Sequence, residues 1–301
     1  MVAGARRVSS ASVIAPTEVS MRTRTSPDPP FADAPPGSSI AAAIITNTKR
    51  NHTTQFLHFT TAAHRSPVAA AQARRYPRNM LKLIIGNKAY SSWSLRGWLA
   101  CKLSGLPFEE VVVPLYDADW DKRREGDEFA PSSGKVPILW DGETVVWDSV
   151  AIIAYLDELT GGEKFWPKDR AARAMAYSMA AEMHSGFAAL RRKHSMNIRQ
   201  AFPPQQPDDD VLADLQRIME LWAQARARFG GEGQFLFGDF GAVDIMYAPV
   251  CTRIITYSLP IARFAPPYID AVIQHPFMQD WIASAQEEAW VIEQFEAPVA
   301  E

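Results

Sequence analysis

Between Leu81 and Leu159 the apolar residues switch repeatedly between strand and helix period, and after Arg170 they keep a helical one. Leu81-Lys82-Leu83-Ile84-Ile85 is a short buried strand run. Leu95, Trp98, Leu99 and Leu103 then recur at helical spacing, so Ser91 to Ser104 reads as a helix that Gly105 is placed to end. Phe108 to Leu115 is a second strand, and such short joins make a βαβ unit with parallel strands. Asp119 to Gly126 is a charged connector, irregular or helical. Val136 to Trp140 and Thr144 to Trp147 flank Asp141-Gly142, a strong hairpin signal. Asp148-Ser149 offers a helix N-cap before VAIIAYLDEL.

The expected order is therefore βαβαββα over residues 80–160, with a linker at 161–169 that opens on Gly161-Gly162. Residues 170–301 are expected to be all-helical. RAARAMAYSMAAEMHSGFAALRR, VLADLQRIMELWAQARARF, AVDIMYAPVCTRIITYSL and FMQDWIASAQEE all carry helical spacing.

Charge divides the chain at the same place. Residues 1–79 hold ten basic and three acidic side chains, and the remainder holds twenty-one against thirty-one. The first segment is rich in Ala, Ser, Thr, Pro and Arg without an apolar period, so it cannot offset its ordering entropy and is expected to be disordered. Its composition is that of a transit peptide, or it is an over-long gene start, since Met80 stands at the first strand as an initiator would. The overall charge of −3 argues against nucleic-acid binding. Apolar runs fall far short of the ~20 residues of a membrane helix. Cys101 and Cys251 lie on apolar helix faces, outside any redox motif. His184, His194 and His275 lack metal-ligand spacing, so no metal is expected.

Three short motifs carry the chemistry. In Tyr90-Ser91-Ser92-Trp93-Ser94-Leu95-Arg96, serines sit where the first strand hands over to a helix. They either cap that helix or offer a hydroxyl to an anion at its N-terminus. In Gly134-Lys135-Val136-Pro137, the proline is either an ordinary edge-strand residue or a cis one that exposes the Val136 backbone to an extended peptide. Asp148-Ser149 is either a cap or a carboxylate and hydroxyl facing an amine and a carboxylate.

Together these motifs resemble the glutathione S-transferase superfamily over essentially all of residues 80–301, with the zeta-like bacterial branch closest. The likeness rests on SSWSLR, Val136-Pro137, the DSVAIIAYL helix start and the segment FGDFGAVDIMYAP, with Asp244 as its capping acid. Trp93 stands where the branch has cysteine, Asp148 where the family more often has Glu or Gln, and Gly241 where a Ser or Thr cap is usual. The resemblance implies a thioredoxin-like α/β N-terminal domain followed by an all-α domain. It implies glutathione as co-substrate, with Ser91, or alternatively Ser92, donating to the thiolate. It assigns Arg96, Val136, Pro137, Asp148 and Ser149 to the tripeptide, and Lys135 either to its glycine carboxylate or to a solvated loop. Trp93, Met183, His184, Phe187 and Arg253 become candidates for the pocket of a small electrophile. A cytoplasmic homodimer is implied, with no nucleic-acid or membrane partner. The alternatives are a non-catalytic scaffold of the same fold and a zeta-like maleylacetoacetate isomerase.

Overall fold

The computed structural model of the protein describes residues 80–204 and 206–297. The extension expected for 1–79 lies outside the described residues. Strand β1 (Leu81–Gly86) is followed by α1 (Ser92–Ser104), β2 (Phe108–Val113), α2 (Trp120–Arg124) and a 3₁₀ turn (Ala130–Ser132). Strands β3 (Ile138–Asp141) and β4 (Thr144–Trp147) and helix α3 (Ser149–Leu159) complete this half. The sheet order is β2-β1-β3-β4, with β1 parallel to β2 and antiparallel to β3, and β4 antiparallel to β3. That is the thioredoxin-like arrangement implied by the sequence.

Side chains alternate across the sheet as the pleat requires. Leu81, Leu83, Ile85 and Leu139 point to the core shared with α1 and α3. Ile84 and Ile138 point the other way, onto Trp120 and Phe129 from α2 and the turn beside it. The charged connector is thus a lid on the second face, anchored by two aromatic rings at 6.0 Å.

The second half contains α4 (Arg170–Ser185), α5 (Ala188–Lys193), α6 (Asp209–Phe229), α7 (Ala242–Tyr257), α8 (Pro266–Gln274), α9 (Pro276–Glu287) and a 3₁₀ turn (Glu293–Phe295). Two features depart from the periodicity. The run from Arg170 to Arg192 breaks at Gly186-Phe187, where Phe187 takes a left-handed conformation (φ 54°) and turns its ring into the core. A side chain at Gly186 would come within 2.8 Å of the Glu182 carbonyl, so glycine lets the helix end there without a clash. Helix α8 falls outside the four periodic runs because it is short and opens on Pro266-Pro267, a pair that reads as a loop by pattern alone.

Helix α7 is buried along almost its whole length. Its start is fixed by Asp244, whose carboxylate accepts the backbone N–H groups of Gly241 (2.9 Å) and Leu236 (3.2 Å). Gly241 supplies no side chain, so the acid at the third helical position does the capping, as expected. Burial pushes the Asp244 carboxyl up to about 6. That value lies above the ~4 of an unfolded chain. The group therefore favours the folded state most below pH ~4 and loses that contribution as pH rises through about 6. We expect the stability of the wild type relative to Asp244→Asn to increase by about 2 kcal/mol between pH 7 and pH 4. Urea unfolding at the two pH values measures it; a difference independent of pH would contradict the assignment.

Candidate functional site

The candidate residues collect where the N-terminus of α1 meets α3, α4 and α7. Ser91 is the N-cap of α1, in extended conformation, and its Oγ accepts the Ser94 N–H at 3.3 Å. The Ser91 hydroxyl also donates to Ser94 Oγ at 2.8 Å, and Ser94 Oγ accepts the Gly86 N–H at 2.9 Å. Two hydroxyls and a strand-end amide thus form one chain. No acidic residue occupies the first turn of α1, so its free N–H groups keep their positive potential.

Ser92 is engaged differently. Its Oγ lies 3.4 Å from the Arg253 guanidinium on α7, and its carbonyl accepts from Arg96 at 3.3 Å. Arg253 is buried and also donates to the carbonyls of His194 (2.7 Å) and Pro249 (3.0 Å). It links the two halves of the molecule. Arg96 is fully buried and donates to the Met246 carbonyl at 2.9 Å, while its second terminal nitrogen finds no partner among the described residues. Burial, then repulsion from Arg253 and Arg191, holds the Arg96 guanidinium well below its ordinary value. Burial, then repulsion from Arg191, brings Arg253 down to about 10, still charged at neutral pH.

Trp93 lies among these cations. The guanidinium of Arg96 is 4.5 Å from its ring and that of Arg191 is 5.6 Å away. Such pairs attract through the negative face of the indole. The His184 ring is 5.3 Å from Trp93, and its Nε2 meets Asp148 Oδ2 at 2.7 Å. Sequence reasoning placed Asp148 with one ligand and His184 with another; the structure brings them into direct contact.

Asp148 caps α3 through Oδ1, which accepts the Val150 N–H at 3.0 Å. Its backbone sits at φ 76°, ψ 135°, a region that costs a non-glycine residue free energy and recurs at functional sites. Ser149 follows, and its Oγ is buried with no hydrogen-bond partner among the described residues. The Val136-Pro137 peptide is cis. Val136 precedes β3 and pairs with neither neighbouring strand. Gly97 of α1 lets the helix approach this turn, since a Cβ there would lie 2.8 Å from the Pro137 ring. Ser132 Oγ accepts the Lys135 N–H at 3.0 Å and donates to the Lys135 carbonyl, fixing the turn while the Lys135 side chain stays exposed.

Met183 and Phe187 are buried in the continuous core. Cys101 and Cys251 are buried too, and burial raises both thiols, so neither is reactive. No cluster of metal-ligating side chains occurs among the described residues, nor any helix long and apolar enough to cross a membrane. Sequence reasoning missed Ser94 and Arg191. Ser94 had a signal, since it stands at the N3 position that a capping serine addresses. Arg191 had none, because only the break at Gly186-Phe187 turns it back toward Trp93.

A buried hydroxyl without a partner carries its desolvation cost for no structural gain. We expect Ser149→Ala to leave thermal stability unchanged or to raise it by up to about 1 kcal/mol. Calorimetry measures this, and a marked loss of stability would show that the hydroxyl serves the fold.

The family described as glutathione S-transferase, N-terminal domain, matches residues 90–159. A zeta-class glutathione S-transferase from Euphorbia esula is 30% identical over 168 residues, covering 54% of this chain and 70% of the relative. Glutathione S-transferase 1 from Dianthus caryophyllus is 27% identical over 193 residues, covering 61% of this chain and 82% of the relative. Among solved structures, a glutathione transferase homolog from Burkholderia with bound glutathione superposes with a TM-score of 0.52 at 20% identity, covering 69% of this chain and 99% of that one. This last likeness is one of fold.

Proposed function

Since the chain belongs to the glutathione S-transferase superfamily, we propose that it is a glutathione-dependent transferase in which the Ser91 hydroxyl stabilises the glutathione thiolate for attack on a small electrophile. The observation that carries this reading is the hydroxyl chain Ser91–Ser94–Gly86 at the open N-terminus of α1.

A free thiol has a pKa of about 8.5, so only a few per cent is ionised near pH 7. Bringing it to about 6.5 requires about 2.7 kcal/mol of preferential stabilisation of the anion. A charge-assisted hydrogen bond supplies roughly 1.5–3 kcal/mol, and the helix N-terminus adds ~0.3–1 kcal/mol. The two hydroxyl rotors can reverse without losing a bond. Ser94 then donates to Ser91 Oγ, keeps the Gly86 N–H as its own donor, and leaves the Ser91 proton for sulfur. Ser92 is the alternative donor: its Oγ accepts from the Arg253 guanidinium at 3.4 Å, which leaves its own proton free. The buried Arg96 and Arg253 add positive potential on the same side. Ser91 is a hydrogen-bond donor in this scheme, not a nucleophile, and needs no basic partner.

The remaining motifs fit a tripeptide with two carboxylates and an α-amine. Val136 offers an unpaired backbone edge next to the cis peptide. The Ser149 hydroxyl and the first turn of α3 offer donors for a carboxylate, and Asp148 offers charge for an amine. Lys135 would meet the glycine carboxylate. The electrophile would lie against Trp93, His184 and Arg191, whose aromatic and cationic surfaces face the same seam. Membership of the family also supports a cytoplasmic homodimer; a monomeric mass by light scattering at micromolar concentration would exclude the dimer.

Ser91→Ala is expected to leave glutathione affinity nearly unchanged, raise the bound thiol toward its free value near ~8.5, and slow aryl-halide conjugation at neutral pH ~10–100-fold. Asp148→Ala and Ser149→Ala are expected to weaken glutathione binding and leave the thiol where it was. Ultraviolet titration of the bound thiolate separates the two classes. If Ser92→Ala raises the thiol and Ser91→Ala does not, Ser92 is the donor; if neither does, the non-catalytic scaffold is the better reading.

A further inference from the structure

The loop Asn87–Tyr90 leads from β1 to Ser91, and the helical half holds much of it. The Lys88 N–H donates to Glu288 Oε1 at 2.8 Å and the Ala89 N–H to Glu288 Oε2 at 3.2 Å, so one carboxylate spans two consecutive amides. The Lys88 carbonyl accepts from the Trp281 indole at 3.0 Å, and the Ala89 carbonyl from the Ile198 N–H at 3.1 Å. All four backbone polar groups of Lys88 and Ala89 are therefore satisfied from residues 198–288. The next side chain, Tyr90, is buried, donates its hydroxyl to Glu296 and accepts from Arg199. Arg199 also donates to the carbonyls of Glu288 (2.7 Å) and Trp290 (3.0 Å), while Asn197 and Gln200 donate to Glu296 at 3.1 and 2.8 Å. The segment after α9 is thus tied down at both ends and lies against the loop that carries the serine.

We propose that Glu288, with Glu296 behind Tyr90, positions the Ser91 hydroxyl, so that the segment after α9 sets how well the thiolate is stabilised. This rests on the reading of Ser91 as the donor. A hydrogen bond to sulfur depends on tenths of an ångström, and Ser91 inherits its place from Tyr90 and the loop before it. Apart from Arg96 on α1, the residues assigned to the rest of the tripeptide stand in the turn before β3 and at the start of α3, and no contact of Glu288 or Glu296 reaches them. Loss of the Glu288 carboxylate should therefore change the thiol and spare the affinity, whereas a general loss of structure would impair both.

The test uses Glu288→Ala, Glu288→Gln and Ser91→Ala in the full chain, with the bound-thiol titration, the glutathione dissociation constant, kcat and melting temperature measured for each. Glu288→Ala is expected to raise the bound thiol and to lower kcat at neutral pH about tenfold, with the dissociation constant within about twofold. Glu288→Gln keeps one acceptor and is expected to recover part of the effect; should the Ala variant not fold, the Gln variant decides alone, expected to show a smaller shift in the same direction. If the Glu288 variants melt earlier but keep the wild-type thiol titration and kcat, while Ser91→Ala shifts the thiol, the positioning role is wrong and the Ser91 reading stands. If Ser91→Ala leaves the thiol unmoved, both readings fall.

Discussion

Helix α1 packs against two bodies of the structure at once. On one side Leu95, Leu99 and Trp98 join Leu83 and Ile85 of the sheet and Ile152 of α3. On another, Trp98 meets Trp281 of α9 at 5.4 Å, and Arg96 reaches the backbone of α7. Apolar residues from both halves consequently share one continuous cluster, apart from those on the far face of the sheet and beside the serine loop. Burial on this scale stabilises by roughly 25 cal/mol per Å² of apolar surface, and here it also fixes where the first turn of α1 stands. Because Ser91 begins that helix, the seam between the halves is where the chain can present a hydroxyl to a ligand.

The same seam contains buried charge that costs stability. A buried guanidinium needs partners, and Arg96 has backbone carbonyls in place of a carboxylate. Arg253 is held in the same way. Neither forms an ion pair with a contacting acid, although the Asp148 carboxylate partly offsets the Arg96 charge, and both guanidinium groups reach Ser92. The strained backbone of Asp148 and the partnerless hydroxyl of Ser149 belong to the same account. Each costs stability, and each lies at the start of α3.

Much of this was legible in the sequence because it is local. The period changes gave the strands and helices, Asp141-Gly142 gave the hairpin, and Asp244 gave the start of α7. Ser91, Val136, Pro137, Asp148 and Ser149 stand out because each sits at a helix start or a strand edge, while their assignment to a ligand comes from the family resemblance. What the sequence did not show depends on contacts between distant residues. Nothing near Asp148 announces His184, nothing near Trp93 announces Arg191, and the broken helix at Gly186-Phe187 looks continuous to a periodicity argument. Tyr90 is the sharpest case. Beside two serines it could pass for a third hydroxyl at the site, yet its phenol is turned away to Glu296 and Arg199.

The separation along the chain between the serine loop and its supports has a consequence for synthesis. Glu288 lies 200 residues after Lys88, and Trp281 lies 193. At ~5–20 residues per second, roughly 10–40 s pass between translation of the loop and translation of the carboxylate that orders it. During that interval the sheet and α1 can assemble from contacts already made, while the backbone groups of Lys88 and Ala89 face water. The serine loop therefore waits for the last part of the chain before its backbone groups find their partners.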